Sequence, residues 1–103
     1  MKKMICMLAA LMLAGGVAHA GADDTLNKTG CMACHAKDKK LVGPSFKDIA
    51  AKYKGDKQAP ARLAEKVRKG GAGAWGPVPM PPHAPERLND ADLKEVVASI
   101  LAQ

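Results

Sequence analysis

Apolar residues recur along this chain mostly with a helical period. Phe46, Ile49, Ala50 and Tyr53 stand at i, i+3, i+4 and i+7, the stripe of an amphipathic helix. That spacing predicts a helix over about 46–54, with Gly55 as its stop signal. The next helix starts near Pro60, a favoured first-turn residue. It turns Leu63, Ala64 and Val67 inward and ends at Gly70. A last helix begins at Asn89, a strong N-cap with Asp92 three residues on, and its apolar face is Leu93, Val96, Val97, Ile100 and Leu101. Upstream, Asp23 or Asp24 caps a helix over about 24–33, with Leu26 and Gly30 on one face. No stretch alternates in the manner of a half-buried strand. The expected class is all-α, a small fold of about four helices.

Two connections are unusual. Lys40 to Pro44 is a short turn holding Leu41 and Val42. Gly70 to Pro85 is longer, dense in Gly and Pro, and carries Trp75 and Met80. Proline pre-sets φ and removes backbone donors, so this loop is stiff without being helical. A stiff loop around residues of the buried type predicts a positioned ligand. The other reading is a surface connection whose Trp75 and Met80 fill core, the commoner use of Met.

The N-terminal pattern differs from all of this. Lys2 and Lys3 precede an unbroken apolar run from Met4 to Ala14, Gly15 and Gly16 break it, and Ala18-His19-Ala20 is a small-x-small cleavage site. The run is shorter than the ~20 residues a membrane span needs. Residues 1–20 therefore read as a secretory signal peptide, cleaved after Ala20 or Ala22, with no stable membrane insertion afterwards. Residues 21–103 read as one domain.

A domain of roughly 80 residues rarely draws more than about 3–5 kcal/mol from its core unaided. Aromatics help little, since the chain has one Trp, one Tyr and one Phe. Small domains add a disulfide, a metal or another staple, and a large bound cofactor would supply the missing apolar bulk. Formal charge is +6 for the whole chain, and losing Lys2 and Lys3 with the signal leaves +4. The cations include Lys37, Lys39, Lys40, Lys47, Lys52, Lys54 and Lys57. A basic surface steers encounters with acidic partners. A nucleic-acid partner is not expected, because no nucleic-acid fold is marked and aromatics for base stacking are nearly absent.

The chemistry lies in Cys31-Met32-Ala33-Cys34-His35, which reads as C-x-x-C-H, the attachment signature for c-type haem. Residues three and four apart on a helix share a face. Both thiols would then add to the two vinyl groups of one porphyrin edge, and the His35 imidazole would reach the iron. A thioredoxin-like dithiol needs a βαβ context that is missing. A zinc site needs about four ligands and finds no second Cys pair. A disulfide between cysteines this close gains little entropy. With haem in place, Met32 is trapped between the cysteines, which leaves Met80 and His83 as candidates for the sixth ligand. Met80 is the stronger, because Pro79, Pro81 and Pro82 fix its backbone. Met/His ligation raises the reduction potential, and a saturated iron suits electron transfer over substrate binding.

The chain resembles the bacterial class I c-type cytochromes of the c-551/c-552 type. The residues that carry the resemblance are Gly30 to Ala36, Val42-Gly43-Pro44, Lys47 to Tyr53, and Trp75-Gly76-Pro77-Val78-Pro79-Met80-Pro81-Pro82. It implies four helices around one covalent haem c, with His35 proximal and Met80 distal as the metal ligands. It also implies that the Pro44 carbonyl orients the His35 ring and that Trp75 donates its indole N–H to a haem propionate. The implied protein is a monomeric periplasmic electron carrier, not an enzyme. Its implied partners carry acidic docking surfaces and include nitrite reductase, a terminal oxidase or a cytochrome bc1-type donor. The rival is a peroxidase-like or gas-binding haem protein with an open distal site.

Two positions depart from the pattern. His83 stands where many relatives place an Asn that hydrogen-bonds near the methionine sulfur. It is expected either to take that role, making the potential pH-sensitive, or to be an exposed loop histidine. The contact between the first and last helices, often aromatic in relatives, has only Leu26, Val97, Ile100 and Leu101 around Gly30.

Overall fold

The computed structural model describes residues 20–103. The signal peptide predicted over residues 1–20 lies outside the described residues, Ala20 excepted. Four helices follow in order: α1 over Ala20–Lys28, α2 over Phe46–Lys52, α3 over Ala59–Lys69 and α4 over Asp90–Leu101. A 3-10 turn covers Cys31–Ala33, and strands β1 (Gly71–Gly73) and β2 (Gly76–Met80) stand between α3 and α4.

The start signals of α2 and α4 act through local hydrogen bonds. The Asn89 side chain accepts from the Asp92 amide at 2.9 Å. Ser45, not singled out from the sequence, caps α2 in the same way by accepting from the Asp48 amide at 3.0 Å. Pro60 lies in the first turn of α3, and Gly70 ends that helix.

α4 packs against α1, α2 and α3. Its apolar side chains form two adjacent i, i+4 rows. Val96 and Ile100 join Leu26, Phe46 and Ile49 in one cluster. Leu93 and Val97 join Val67 and Leu88 in the other, with Leu101 against it. Of the residues expected where α1 meets α4, Leu26 and Ile100 share a cluster, with Val96 in place of Val97 and Leu101. The two rows lie side by side on α4, offset by a single residue, which period alone does not resolve.

Two further expectations change. α1 stops at Lys28, short of the predicted end near Ala33. The Thr29 hydroxyl donates back to the Thr25 carbonyl at 2.7 Å, and Gly30 takes the left-handed conformation at φ 80°, a common helix terminator. The loop expected over Gly70 to Pro85 contains a hairpin, with Gly71 paired to Met80 and Gly73 to Gly76. Its strands are short and largely exposed. They show no alternation, and Pro77 and Pro79 are tolerated because a two-stranded ribbon has only edges.

Candidate cofactor site

A cleft of about 1090 Å³, its open mouth included, runs between the 3-10 turn, α2, α3 and the hairpin. Cys34, His35, Pro44, Trp75 and Met80 all line it. Residues from distant parts of the chain thus meet around one cleft. Ile49, Leu63, Val67 and Ile100 supply an apolar floor.

The 3-10 turn positions the Cys-x-x-Cys-His segment. The Cys34 and His35 amides both donate to the Cys31 carbonyl, at 3.2 and 3.0 Å. The segment is a tight turn, not the end of a longer α-helix, so the shared face arises from this fork. Both thiols are free, which sets aside a disulfide. Cys31 does not line the cleft. Its Sγ lies 3.3 Å from the Thr29 hydroxyl, and its side chain packs against the cluster around Leu26 and Phe46.

His35 is held from three sides. Its Nδ1 is 2.8 Å from the Pro44 carbonyl oxygen, and a ring N–H there donates to it. Its ring stacks on buried Phe46, centroids 5.5 Å apart. Gly43 closes the third side: a Cβ built there would lie 2.6 Å from His35 Cε1 and 3.0 Å from Nδ1. The Gly43 amide is itself tied to the Cys34 carbonyl at 2.8 Å. With Nδ1 engaged, Nε2 is the nitrogen left for a metal. Gly43→Ala should therefore destabilise the protein by about 1–3 kcal/mol and disturb the imidazole. Urea midpoints and the ferric spectrum check this, and an unchanged midpoint would show the loop yields freely.

Met80 ends β2. Gly70 lets the Met80–Pro82 backbone sit directly on the end of α3: its Cβ would meet the Met80 carbonyl oxygen and lie 2.9 Å from Pro81 C and from Pro82 N. The Met80 side chain is half-buried against the cluster of Val67, Leu88 and Leu93. Trp75 is 42% exposed, and the Lys52 ammonium sits 4.5 Å from its ring centroid while donating to the Ala74 carbonyl at 3.2 Å.

One of the two expectations for His83 fails. The residue is buried, at 6% exposure, so it is not an exposed loop histidine. It does not line the cleft, and its buried Nδ1 has no hydrogen-bond partner, so it makes no Nδ1 bond to the Met80 sulfur.

Tyr53, read in the sequence as part of the α2 stripe, also lines the cleft, and so do Arg62 and Lys66, which went unnoticed in the sequence. Arg62 and Lys66 are i, i+4 on the face of α3 that also carries Leu63, so helical spacing could have found them. They are the cleft's cations, placed where a carboxylate-bearing ligand would need charge. The resolved pKa shifts belong elsewhere, to exposed helix pairs. A hydrogen bond from the Lys69 ammonium holds Glu65 below the usual carboxylate range, and one to Asp24 raises Lys28.

Free thiols, an imidazole with one nitrogen free, a thioether and two cations around an apolar cleft fit a haem. The family model described as Cytochrome c matches residues 22–102. The chain is 53% identical over 74 residues to cytochrome c2 of Rubrivivax gelatinosus, covering 72% of this chain and 87% of that protein. It is 42% identical over 102 residues to cytochrome c-552 of Hydrogenobacter thermophilus, covering 99% of this chain and 98% of that one. The crystal structure of Nitrosomonas europaea cytochrome c552 superposes with a TM-score of 0.71 at 44% identity, covering 78% of this chain and 96% of that one. The chain therefore belongs to the cytochrome c family, as a monohaem electron carrier with one covalently attached haem c and not an enzyme.

Proposed function

We propose that the protein is a periplasmic, monomeric shuttle that takes electrons from a cytochrome bc1-type donor and delivers them to a nitrite reductase or a terminal oxidase. The observation that supports this reading is the cleft, which His35, Met80 and Cys34 all line. When bound, the haem supplies a one-electron ferric/ferrous couple. Cys31 and Cys34 anchor it as thioethers. His35 Nε2 and the Met80 sulfur would be its iron ligands, and the Pro44 carbonyl, bonded to His35 Nδ1 at 2.8 Å, would fix the imidazole ring and raise its basicity. Arg62, Lys66 and Trp75 line the same cleft and would supply charge and an indole N–H to the haem carboxylates. A saturated site leaves no place for substrate, so the chain's residues hold geometry and exclude water. The signal over residues 1–20 directs export, with cleavage after Ala20 or Ala22, and residues 21–103 form the carrier.

Partner docking falls at the mouth of the cleft. Val42, Trp75 and Val78 line it and stay exposed at 54%, 42% and 59%. Exposed Lys39 and Lys40 adjoin this apolar rim in sequence. Cations around an apolar contact steer an acidic partner. The electron-transfer rate with an acidic partner should fall steeply between low and physiological ionic strength, where the Debye length shrinks to about 8 Å. Stopped-flow mixing measures it, and a flat salt response would remove the lysines from the docking role. Mass spectrometry of the exported protein tests the rest: the expected mass is the chain cut after Ala20 or Ala22 plus one haem.

A further inference from the structure

The connection from Met80 to α4 is held to α3 by very few bonds. Pro81 and Pro82 have no N–H to donate. Among the described residues, the next backbone anchor after the hairpin is therefore the His83 peptide. Its N–H donates to the Val67 carbonyl at 3.0 Å, and its carbonyl accepts from Arg68 Nη1 at 3.1 Å. The same guanidinium donates to the Leu88 carbonyl at 2.5 Å and to Asp90 Oδ1 at 2.6 Å. Arg68 is thus a three-point clamp between α3 and the whole 83–90 connection. Its side chain is only 20% exposed, and charged hydrogen bonds shielded from water are the stronger kind.

What the clamp holds down is an imidazole. His83 is buried with Nδ1 unpartnered, a state that calls for an explanation. It lies three residues from Met80, about 10 Å of extended chain. Neutral imidazole is a stronger ligand for iron than a thioether. We propose that Arg68 is a positioning residue that selects the sixth ligand: by pinning the His83 peptide to α3 it stows a competing imidazole and leaves the position to Met80. The proposal rests on Met80 being that ligand. The exchange it prevents is a neutral swap, in which the Met80 sulfur leaves and a His83 nitrogen enters, with no electron transferred. Stability without Arg68 then has a second cost, the loss of ligand identity.

Spectroscopy of holoprotein variants decides it. Wild type and His83→Asn should both show the long-wavelength methionine-to-iron charge-transfer band of the ferric form. Arg68→Met should lose most of that band and gain a low-spin bis-imidazole signal by electron paramagnetic resonance. In Arg68→Met/His83→Asn that signal should vanish. A merely structural clamp would weaken both Arg68 variants alike without any dependence on His83. Full retention of the band in Arg68→Met, or a bis-imidazole signal that survives His83→Asn, overturns the proposal. Should Arg68→Met fail to fold, wild type and His83→Asn at the foot of the urea transition give the same decision. The signal must then appear in the first and not in the second. A wild type without the band would remove Met80 as ligand, a distinguishable failure that takes this proposal with it.

Discussion

Met80→Ala should keep its covalent haem and its fold but lose the ferric methionine-to-iron band, bind carbon monoxide in the ferrous state at neutral pH, and show a lower reduction potential. The reasoning runs from the soft sulfur. A thioether favours ferrous iron, so losing it lowers the potential, and the vacated position admits an exogenous ligand. The structural cost is moderate. Met80 is half-buried against Val67, Leu88 and Leu93, so truncation should fall near the lower end of the range for buried Met, about 2 kcal/mol. β2 keeps its pairing, since Gly71 pairs with Met80 through backbone. Carbon monoxide difference spectra and protein-film voltammetry measure the outcome. An unchanged band and potential would show that another side chain holds the sixth position.

Cys31→Ala/Cys34→Ala should leave no haem that resists acidified-acetone extraction, and most of the chain's cooperative structure should go with it. The two buried clusters hold one aromatic residue between them, Phe46. A core of this size contributes about 3–5 kcal/mol, close to the whole stability of a small domain. The apolar floor of Ile49, Leu63, Val67 and Ile100 faces the cleft, so its burial depends on the cofactor. Binding free energy is then folding free energy. Far-ultraviolet circular dichroism with thermal melting reads the result. A cooperative melt near that of wild type would show that the polypeptide folds on its own packing. Cys31→Ala alone should be milder: Cys34 lines the cleft, whereas Cys31 sits beside Thr29 against the Leu26 and Phe46 cluster.

Much of this was legible along the chain because it is local. The i, i+3, i+4 stripe of α2, the Asn89 cap and the Pro60 start all act within one helical turn, and α2, α3 and α4 begin where those signals stand, whereas Asp23 and Asp24, expected to cap the first helix, lie inside α1. The Cys-x-x-Cys-His run and the proline-braced Met80 are likewise contiguous motifs. The misses share a different character. The end of α1 turned on a left-handed Gly30, a conformational choice between helix and turn that composition leaves open. The hairpin was hidden because strands of three and five exposed residues rich in Gly and Pro carry no alternation, and its position depends on Gly70 fitting against the Met80–Pro82 backbone. Arg62 and Lys66 went unremarked because only the packing of α3 turns that face toward the cleft.

By itself, then, the sequence determined an all-α class, the helix boundaries set by caps and breakers, and the chemistry of one attachment motif with a braced methionine. Those depend on neighbours a few residues apart. Tertiary structure alone decided that Pro44, Trp75 and Met80 meet Cys34 and His35 around one cleft. It also decided that Gly43 must be bare because His35 occupies the space, and that His83 lies buried beneath an Arg68 clamp. Those facts are long-range contacts, and no period or motif along a chain states which distant residue will fill a given space.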